Sequence, residues 1–346
     1  MNRSPDRSDP LSRAIVELAH GRHLSADAAG AAFDELMQGH ATPAQVAALL
    51  VGLRVLGETG DEVAGAAAAL RRAMVPLAGI DRPAELVDTC GTGGGTVPTF
   101  NISTAAALVA AGAGVRVAKH GNRSFTSKSG SADVFEALGV AIDVTPDVAA
   151  RTLARIGIAF LYAPTYHPAL RHAGPVRREL GIPTVMNLVG PLGNPAGARR
   201  QVVGVADRAR GPVLARALAR LGALHALVVH GEAGMDEVSP VGPTAIWEVR
   251  DGEVREWTLD LAEVGVAAVD PAALAGGTPA ENARRVEGLL RGGADGPARA
   301  AVLLNAAAAI YVSAGKRTFR EALAEAGRAL DDGRAAERLD RLRAGA

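Results

Sequence analysis

The amino-acid sequence predicts an α/β protein with a small helical N-terminal domain and a larger α/β domain on a mostly parallel central sheet. The chain has 346 residues, enough for two domains around a substantial core. Amphipathic helical patterns fill about the first 75 residues, and beyond residue 85 short apolar strands alternate with helices. That alternation is typical of a parallel sheet covered on both faces. We place the helical domain at 1–79 and the α/β domain at 80–346.

The N-terminal segment predicts four amphipathic helices. Asp9 before Pro10 and Thr42 before Pro43 each combine a capping side chain with proline at the first helical position. A fourth helix is expected from about Glu62 to Met74. The third helix ends at Gly57 and has apolar residues at helical spacing: Val46, Leu49, Leu50, Leu53 and Leu56.

Strands follow from about residue 85. A hairpin is expected around Asp251-Gly252, and helices return from Ala280, with the apolar run 302–306 in the core. Helices are also expected after Asn101, Ser131, Pro146 and Arg210. The five candidate parallel strands are Glu85 to Thr89, Val115 to Lys119, Ala159 to Tyr162, Gln201 to Val205 and Ala226 to Val229.

Composition excludes several classes of protein. Lys and Arg number 37, as do Asp and Glu, so no overall field attracts nucleic acid or a membrane. A single cysteine, Cys90, excludes an internal disulfide, and no base beside it suggests a nucleophile. No apolar run reaches the roughly 20 residues of a membrane span, and the first residues lack the apolar core of a signal peptide. We expect a cytoplasmic protein without nucleic-acid or membrane partners.

Residues 88–104 form the most informative stretch. A strand runs into four glycines within five residues, and Asn101-Ile102-Ser103-Thr104 then opens an alanine-rich helix. Glycines allow close backbone approach and a helix start presents free amides, which together suit a phosphate. A tight turn without a ligand is the alternative. The dinucleotide fingerprint fails at Thr96 and the P-loop motif fails at Thr126, so any phosphate site has another architecture.

Three further segments carry candidate chemistry. The segment 119–133 follows a strand and holds two lysines, an arginine and several hydroxyls, which suits a polyanion, although a solvated basic loop is the alternative. Asp236-Glu237 also follows a strand and could hold Mg²⁺ together with substrate phosphate, unless it is a solvated turn. An arginine within 167–180 could bind a carboxylate in a bidentate pair, or simply face solvent.

In this order and spacing, the four segments resemble the anthranilate phosphoribosyltransferase family over nearly the whole chain. The most specific pieces are 99–104, 119–123 and 190–195. The resemblance implies a nucleoside phosphorylase/phosphoribosyltransferase-like fold with the active site between the domains. It also implies a homodimer joined through the helical domain, and a return of residues 170–185 to that domain.

The resemblance implies transfer of the phosphoribosyl group of phosphoribosyl pyrophosphate to the amine of anthranilate, with two Mg²⁺ ions. Lys119 would stabilise the departing pyrophosphate and Arg177 would hold anthranilate, so these two are the catalytic candidates. Metal would be held by Ser103, Asp236 and Glu237. The implied substrate-binding residues are Gly91, Gly94, Gly95, Thr99, Asn101, Ile102, Ser103, Thr104, Lys119, His120, Gly121, Asn122, Arg123, Ser127, Ser131 and Arg177.

Within that set, Gly91, Asn122 and Arg177 would contact anthranilate, with His120 and Pro191 near its access path. No side chain is identified as a general base. The sequence departs from the family pattern at three places. Gly95 stands where an aspartate is usual, Met186 where a phenylalanine is common, and Gly193 where a threonine is common. The last two are expected to be packing changes.

Two other functions remain as alternatives. A nucleoside phosphorylase of the same fold would use phosphate and a nucleoside, but the Asp236-Glu237 pair and the complete 101–104 run argue against it. A non-catalytic nucleic-acid-binding relative would have a basic surplus and an eroded site, whereas this chain has balanced charge and intact loops.

Overall fold

The structure, a computed structural model, describes residues 9–124, 128–293 and 295–345. Ser127, one of the predicted ligand residues, lies outside the described residues. The α-helices are α1 Pro10–Ala19, α2 Ala26–Met37, α3 Pro43–Leu56, α4 Gly60–Ala73, α5 Ile102–Gly112, α6 Ser131–Ala137, α7 Pro146–Ile156, α8 Ala163–Tyr166, α9 Gly174–Leu180, α10 Val185–Val189, α11 Arg210–Arg220, α12 Leu261–Val264, α13 Pro279–Leu290, α14 Gly296–Val312, α15 Phe319–Asp331 and α16 Arg334–Ala344. The strands are β1 Val87–Gly91, β2 Val117–Gly121, β3 Ile158–Tyr162, β4 Arg200–Gly204, β5 His225–Gly231, β6 Thr244–Arg250 and β7 Glu253–Leu259.

The sheet has the order β3-β2-β1-β4-β5-β6-β7. The pairs among β1 to β5 are parallel, and β6 and β7 join the edge as an antiparallel hairpin. Asp251 and Gly252 have φ values of 52° and 85°, the left-handed conformation that a two-residue hairpin turn requires. The predicted fold class and hairpin are confirmed.

Two strands are shifted by two residues from the prediction, whereas β3, β4 and β5 depart from it by one or two residues at their ends. β1 and β2 each begin and end two residues later than expected, so each strand finishes at a glycine of a candidate ligand loop. Pro83–Glu85 form a 3₁₀ turn that delays β1. Before β2, the amide of Val115 donates to the carbonyl of Ala110 and still belongs to the end of α5. Local turn geometry, which apolar patterning does not reveal, sets both starts.

The N-terminal helices are confirmed, with the predicted caps. The Asp9 carboxylate accepts from the Ser12 amide at 2.8 Å, and Thr42 forms a capping box with Gln45. Gly57 ends α3 with a φ of 82°. α4 begins earlier than predicted because Thr59 and Glu62 form a second capping box, a signal present in the sequence.

Each face of the sheet has one large apolar cluster, and a third, smaller cluster includes Ala118 of β2 and Leu161 of β3. One large cluster packs the helices α1, α2, α3, α4, α10 and α11 against the sheet. It also includes Ala173 and Val176 of the segment 168–189. α9 packs on α3, and α10 packs on α4 and α3, so this segment lies against the N-terminal helices. The other large cluster contains α5 and α13 to α16, with the predicted run 302–306 inside. No helix in the three described ranges is both long and apolar enough to cross a membrane.

Candidate active site

The loops after β1, β2 and β5 meet at one edge of the sheet, because parallel strands present their carboxyl ends together. The acidic loop after β5 crosses the end of β4 to reach β1. A methyl group added to Gly204 at that crossing would lie 1.7 Å from the carbonyl oxygen of Asp236. Only glycine at the end of β4 therefore lets the acidic loop approach.

Glycines of the first ligand loop, which joins β1 to α5, lie against Asp236. A methyl group added to Gly91 would be 3.0 Å from Oδ2 of Asp236, and one added to Gly95 would be 3.0 Å from Oδ1. Gly93 and Gly94 have φ values of 70° and 86°, which favour glycine. The glycine-rich turn therefore packs closely on the Asp236 carboxylate of the acidic loop. This packing places the carboxylate next to the candidate phosphate site.

Lys119 is the buried cation of the site, with 1% of its surface exposed. Its Nζ donates to the carbonyl and hydroxyl oxygens of Thr89 and, at 3.3 Å, to Oγ of Ser103. Burial lowers the pKa of Lys119, while the carboxylates of Asp88 and Glu237 act in the opposite direction. Lys119 therefore lies between the end of β1 and the start of α5, where the two carboxylates favour its charged form against the cost of burial.

The acidic pair is partly exposed, yet its environment penalises negative charge. Burial, and then the nearby Asp236 carboxylate, raise the pKa of Glu237 to about 8, although Lys119 offsets part of this. Burial also raises the pKa of Asp236, against a hydrogen bond from the Gly93 amide. The ionised forms of both carboxyl groups are therefore disfavoured, and a cation placed between the two groups would stabilise those ionised forms.

The residues present fit a magnesium ion held jointly with a substrate. No three His, Cys, Asp or Glu side chains converge on a point within the described ranges, so the chain supplies few strong ligands. Asp236, Glu237 and the hydroxyl of Ser103 are hard oxygen donors. Mg²⁺ commonly binds one or two carboxylates and completes its shell with water and phosphate oxygens.

The start of α5 divides into core and ligand-facing positions. Ile102 and Thr104 are fully buried, so Ile102 can offer a ligand only its backbone. Asn101 is partly buried, and its Nδ2 donates to the carbonyl of Ser129 at 3.1 Å. The amide of Phe100, next to Thr99, donates to the carbonyl of Leu274. The first ligand loop is therefore fixed on both sides by other loops.

In the second ligand loop, which joins β2 to α6, Arg123 forms ion pairs with residues of this chain. Its guanidinium pairs with Asp133 at 2.9 Å and Glu136 at 2.8 Å, and these carboxylates raise its pKa. Ser131 donates to the carbonyl of Asn122, and a methyl group on Gly121 would lie 2.2 Å from Ser131 Oγ. Arg123 thus stabilises the loop in this structure, and binding a ligand would require it to exchange partners.

A buried histidine pair lies next to Lys119 along the chain. The rings of His120 and His167 are 4.9 Å apart between centroids, at 58°. Nε2 of His120 and both ring nitrogens of His167 have no hydrogen-bond partner among the described residues. Burial lowers their pKa values to about 3 and about 4, so both rings are neutral at pH 7. Buried nitrogens without partners suit a polar ligand.

Arg177 on α9 has no carboxylate partner within the described ranges. It is half-buried, and burial lowers its pKa. A guanidinium that is partly desolvated and unpaired favours an anion. No hydrogen bond or ion pair in the described part of the chain joins it to the other predicted ligand residues.

Sequence reasoning missed Asp88 and gave no role to His167. Asp88 is fully buried; its Oδ1 accepts from the His120 amide at 3.1 Å and its Oδ2 from Asn194 Nδ2 at 2.8 Å. Burial raises the pKa of Asp88 to about 6. The sequence did contain a signal for a role of Asp88, because an ionisable residue stands within the apolar strand that precedes the glycines. Asp88 joins the end of β2 to the segment 190–196.

Two family descriptions match this chain. The helical bundle domain of a glycosyl transferase family matches residues 12–74, and the a/b domain of a glycosyl transferase family matches residues 83–336. A curated relative, anthranilate phosphoribosyltransferase of Thermomicrobium roseum, is 49% identical over 336 residues, covering 96% of both chains. That of an Anaeromyxobacter species is 49% identical over 332 residues, covering 96% of this chain and 97% of the relative.

Solved structures agree with these matches. Anthranilate phosphoribosyltransferase from Thermus thermophilus superposes with a TM-score of 0.90 at 43% identity, covering 97% of this chain and 98% of the other. The enzyme from Saccharomyces cerevisiae, solved in complex with phosphoribosyl pyrophosphate and Mg, has a TM-score of 0.87 at 29% identity with the same coverage. The yeast enzyme in complex with 4-fluoroanthranilate has a TM-score of 0.85 at 27% identity, covering 96% of each chain.

Proposed function

The chain belongs to the anthranilate phosphoribosyltransferase family, and from that premise we propose how its own residues divide the work of the reaction. The enzyme transfers the phosphoribosyl group of phosphoribosyl pyrophosphate to the amine of anthranilate and releases pyrophosphate. The bond from the anomeric carbon to a pyrophosphate oxygen breaks, a carbon–nitrogen bond forms, and the amine loses one proton.

Phosphoribosyl pyrophosphate binds along the first two ligand loops in this proposal. The glycines at 91, 94 and 95 and the ligand-facing positions within 99–104 contact its phosphates, and Asn122 and Ser131 complete the site. The support is the meeting of these loops with a buried cation and two carboxyl groups. The observation that carries the proposal is the contact of Lys119 Nζ with Ser103 Oγ, beside Glu237.

Ser103, Asp236 and Glu237 hold magnesium, which we propose as two ions. Bound there with pyrophosphate, magnesium supplies positive charge that stabilises the leaving group. In its charged form, Lys119 provides a second part of that stabilisation. Because Lys119 is buried and fixed by Thr89, little reorganisation is needed as charge develops on the departing oxygen.

Arg177 grips the carboxylate of anthranilate and so orients the amine, while Gly91 and Asn122 border the acceptor. The unpartnered nitrogens of His120 and His167 are available to the amine or carboxylate of the acceptor. Their depressed pKa values make them weak bases. An aromatic amine is neutral at pH 7 with its lone pair free, so its attack depends on orientation rather than on a strong base.

We further propose that residues 1–79 and 170–185 form one helical domain and that two copies associate through it. The packing of α9 and α10 on α3 and α4 supports the discontinuous domain. Val16 and Val55 of the helical region are 48% and 79% exposed, and an association of two copies there would cover such apolar side chains. The location in the cytoplasm stays a prediction from the sequence.

The loss of anthranilate fluorescence tests the residue assignments. With both phosphoribosyl pyrophosphate and Mg²⁺ present, Asp236→Ala/Glu237→Ala should lose turnover and keep its fold, because removing two crowded carboxyl groups relieves repulsion. Glu232→Ala is the matched control, since Glu232 is an exposed acid of the same loop and pairs with Arg208. A double variant with near wild-type turnover would disprove the metal assignment.

A further inference from the structure

Asn282 lies in α13, outside both ligand loops, and touches the first of them. It is 3% exposed. Its Nδ2 donates to Oδ1 of Asn101 at 2.9 Å, and its Oδ1 accepts from the amide of Gly277 at 2.8 Å. Asn101 in turn donates through Nδ2 to the carbonyl of Ser129 at 3.1 Å. One row of hydrogen bonds therefore connects the start of α13 to the first and second ligand loops.

The row has a defined direction. An amide side chain has one accepting oxygen and one donating nitrogen, and a backbone N–H can only donate. The Gly277 amide therefore requires the oxygen of Asn282, which turns its nitrogen toward Asn101. Asn101 must then present its own oxygen, and its nitrogen is left for the Ser129 carbonyl. The orientation of Asn101 is thus set by a backbone group 176 positions further along the chain.

The backbone before α13 keeps Asn282 within reach. A methyl group on Gly276 would lie 2.4 Å from the carbonyl of Thr99, so this segment packs directly on the first ligand loop. The guanidinium of Arg285 lies 4.4 Å from the ring centroid of Phe100 and also donates to the carbonyl of Ala273. The segment and the loop are therefore held together at Thr99 and Phe100, the two residues directly before Asn101.

We propose that Asn282 is a positioning residue for phosphoribosyl pyrophosphate. It fixes the amide of Asn101 and, through it, the distance between the first and second ligand loops. Asn282 itself touches no substrate. This inference rests on the proposed function, which places Asn101 in the phosphoribosyl pyrophosphate site.

Asn282→Asp is the sharpest test, because it changes the direction of the row with little change of shape. The aspartate still accepts from Gly277 but cannot donate to Asn101. Asn101 then either loses the donor to its Oδ1, or its amide group turns over and places Oδ1 against the carbonyl oxygen of Ser129, where two acceptors repel each other. We expect the KM for phosphoribosyl pyrophosphate to rise about tenfold and the KM for anthranilate to stay within about twofold.

Thr278→Ala is the matched control. Thr278 is the N-cap residue of the same helix and forms a capping box with Glu281, but it makes no hydrogen bond to Asn101. Its loss destabilises α13 by an amount typical of an N-cap without altering the row. The control should keep the wild-type KM for phosphoribosyl pyrophosphate. An equal rise in the control would mean that the effect of Asn282→Asp is one of general stability, and would overturn the proposal.

A double-mutant cycle with Asn101→Ala separates this inference from its premise. If Asn282 acts through Asn101, then Asn282→Asp should add little to the KM of an Asn101→Ala protein. Additive effects would overturn the proposal. A raised KM in Asn101→Ala with an unchanged KM in Asn282→Asp would overturn this inference alone. An unchanged KM in Asn101→Ala would overturn the assignment of Asn101, and this inference with it.

Discussion

Asn305 on α14 holds the backbone of Val238 at both polar groups. Its Oδ1 accepts from the Val238 amide and its Nδ2 donates to the Val238 carbonyl, each at 2.9 Å. Val238 directly follows the acidic pair, and Asn305 is 3% exposed. The position of the two candidate metal ligands is therefore fixed by a buried helix in addition to their own loop.

Replacing Asn305 should weaken metal binding. Asn305→Leu leaves the amide and the carbonyl of Val238 without partners, which costs about 1–3 kcal/mol for each group that stays buried. The loop should relax to avoid this cost and move Asp236 and Glu237. We expect the Mg²⁺ concentration for half-maximal rate to rise several-fold. A titration of initial rate against Mg²⁺ measures it.

Leu304→Ala is the control for general destabilisation. Leu304 is a fully buried neighbour on α14, and truncating it costs about 2–5 kcal/mol without removing a hydrogen bond to Val238. Its Mg²⁺ requirement should remain that of the wild type. A similar increase in both variants would show that Asn305 has no specific role in placing the acids.

Local patterns predicted the elements and the ligand loops, because caps, glycines and apolar spacing act over a few residues. The partners of buried polar groups could not be predicted in the same way. Asp88 and Asn194 lie 106 positions apart, and Asn101 and Asn282 lie 181 apart. Such pairs depend on which loops the fold brings together, and no local spacing encodes that.

Arg123 shows where more could have been inferred. The family resemblance implied that it binds the substrate, and in the structure it pairs with two acids of the following helix. Asp133 and Glu136 are three positions apart on α6, so they share one helix face. That spacing was visible and predicts a partner for a nearby arginine. The assignment to phosphoribosyl pyrophosphate stays a prediction.

The stability of the protein should depend on the ionisation of Asp88. Its folded pKa, about 6, lies above the ordinary aspartate value of 3.8, so the folded state binds the proton more tightly than the unfolded state. Stability from this group is greatest at low pH and declines as pH rises from about 4 to about 6. Asp88→Asn removes this dependence, so between pH 4.5 and pH 7 the variant should gain about 2 kcal/mol relative to the wild type.

Urea unfolding at pH 4.5 and pH 7 measures this difference. Asp147→Asn is the control, because Asp147 is an exposed aspartate in the first turn of α7. The control should show the same pH dependence as the wild type. A constant difference between Asp88→Asn and the wild type at both pH values would contradict a raised pKa at Asp88.

Arg177→Ala should affect one substrate only. Loss of a charged hydrogen bond of roughly 1.5–3 kcal/mol predicts a rise of about 10- to 150-fold in the KM for anthranilate. The KM for phosphoribosyl pyrophosphate should scarcely change. Arg178→Ala is the matched control, since Arg178 is the exposed neighbour on α9. If Arg177→Ala weakens both substrates equally, Arg177 is structural or binds phosphate.

Gly95→Asp should change the response of the enzyme to metal. A methyl group at Gly95 already lies 3.0 Å from Oδ1 of Asp236 and 3.1 Å from the carbonyl of Gly234, so an aspartate places a third carboxylate beside the acidic pair. Clustered carboxylates attract further cations. Metal held there binds the substrate complex unproductively, so we expect inhibition at millimolar Mg²⁺ that the wild type does not show.

Gly95→Asn separates charge from crowding in this experiment. The asparagine has nearly the size of the aspartate and meets the same oxygens of Asp236 and Gly234, but it adds no negative charge. Initial rates at saturating substrates are followed against free Mg²⁺ for the three proteins. Because only the aspartate recruits an extra cation, only Gly95→Asp should decline at high metal. Identical curves for wild type and Gly95→Asp would mean that Gly95 is a backbone adjustment without bearing on metal use, and an equal decline in Gly95→Asn would assign the effect to displacement of Asp236.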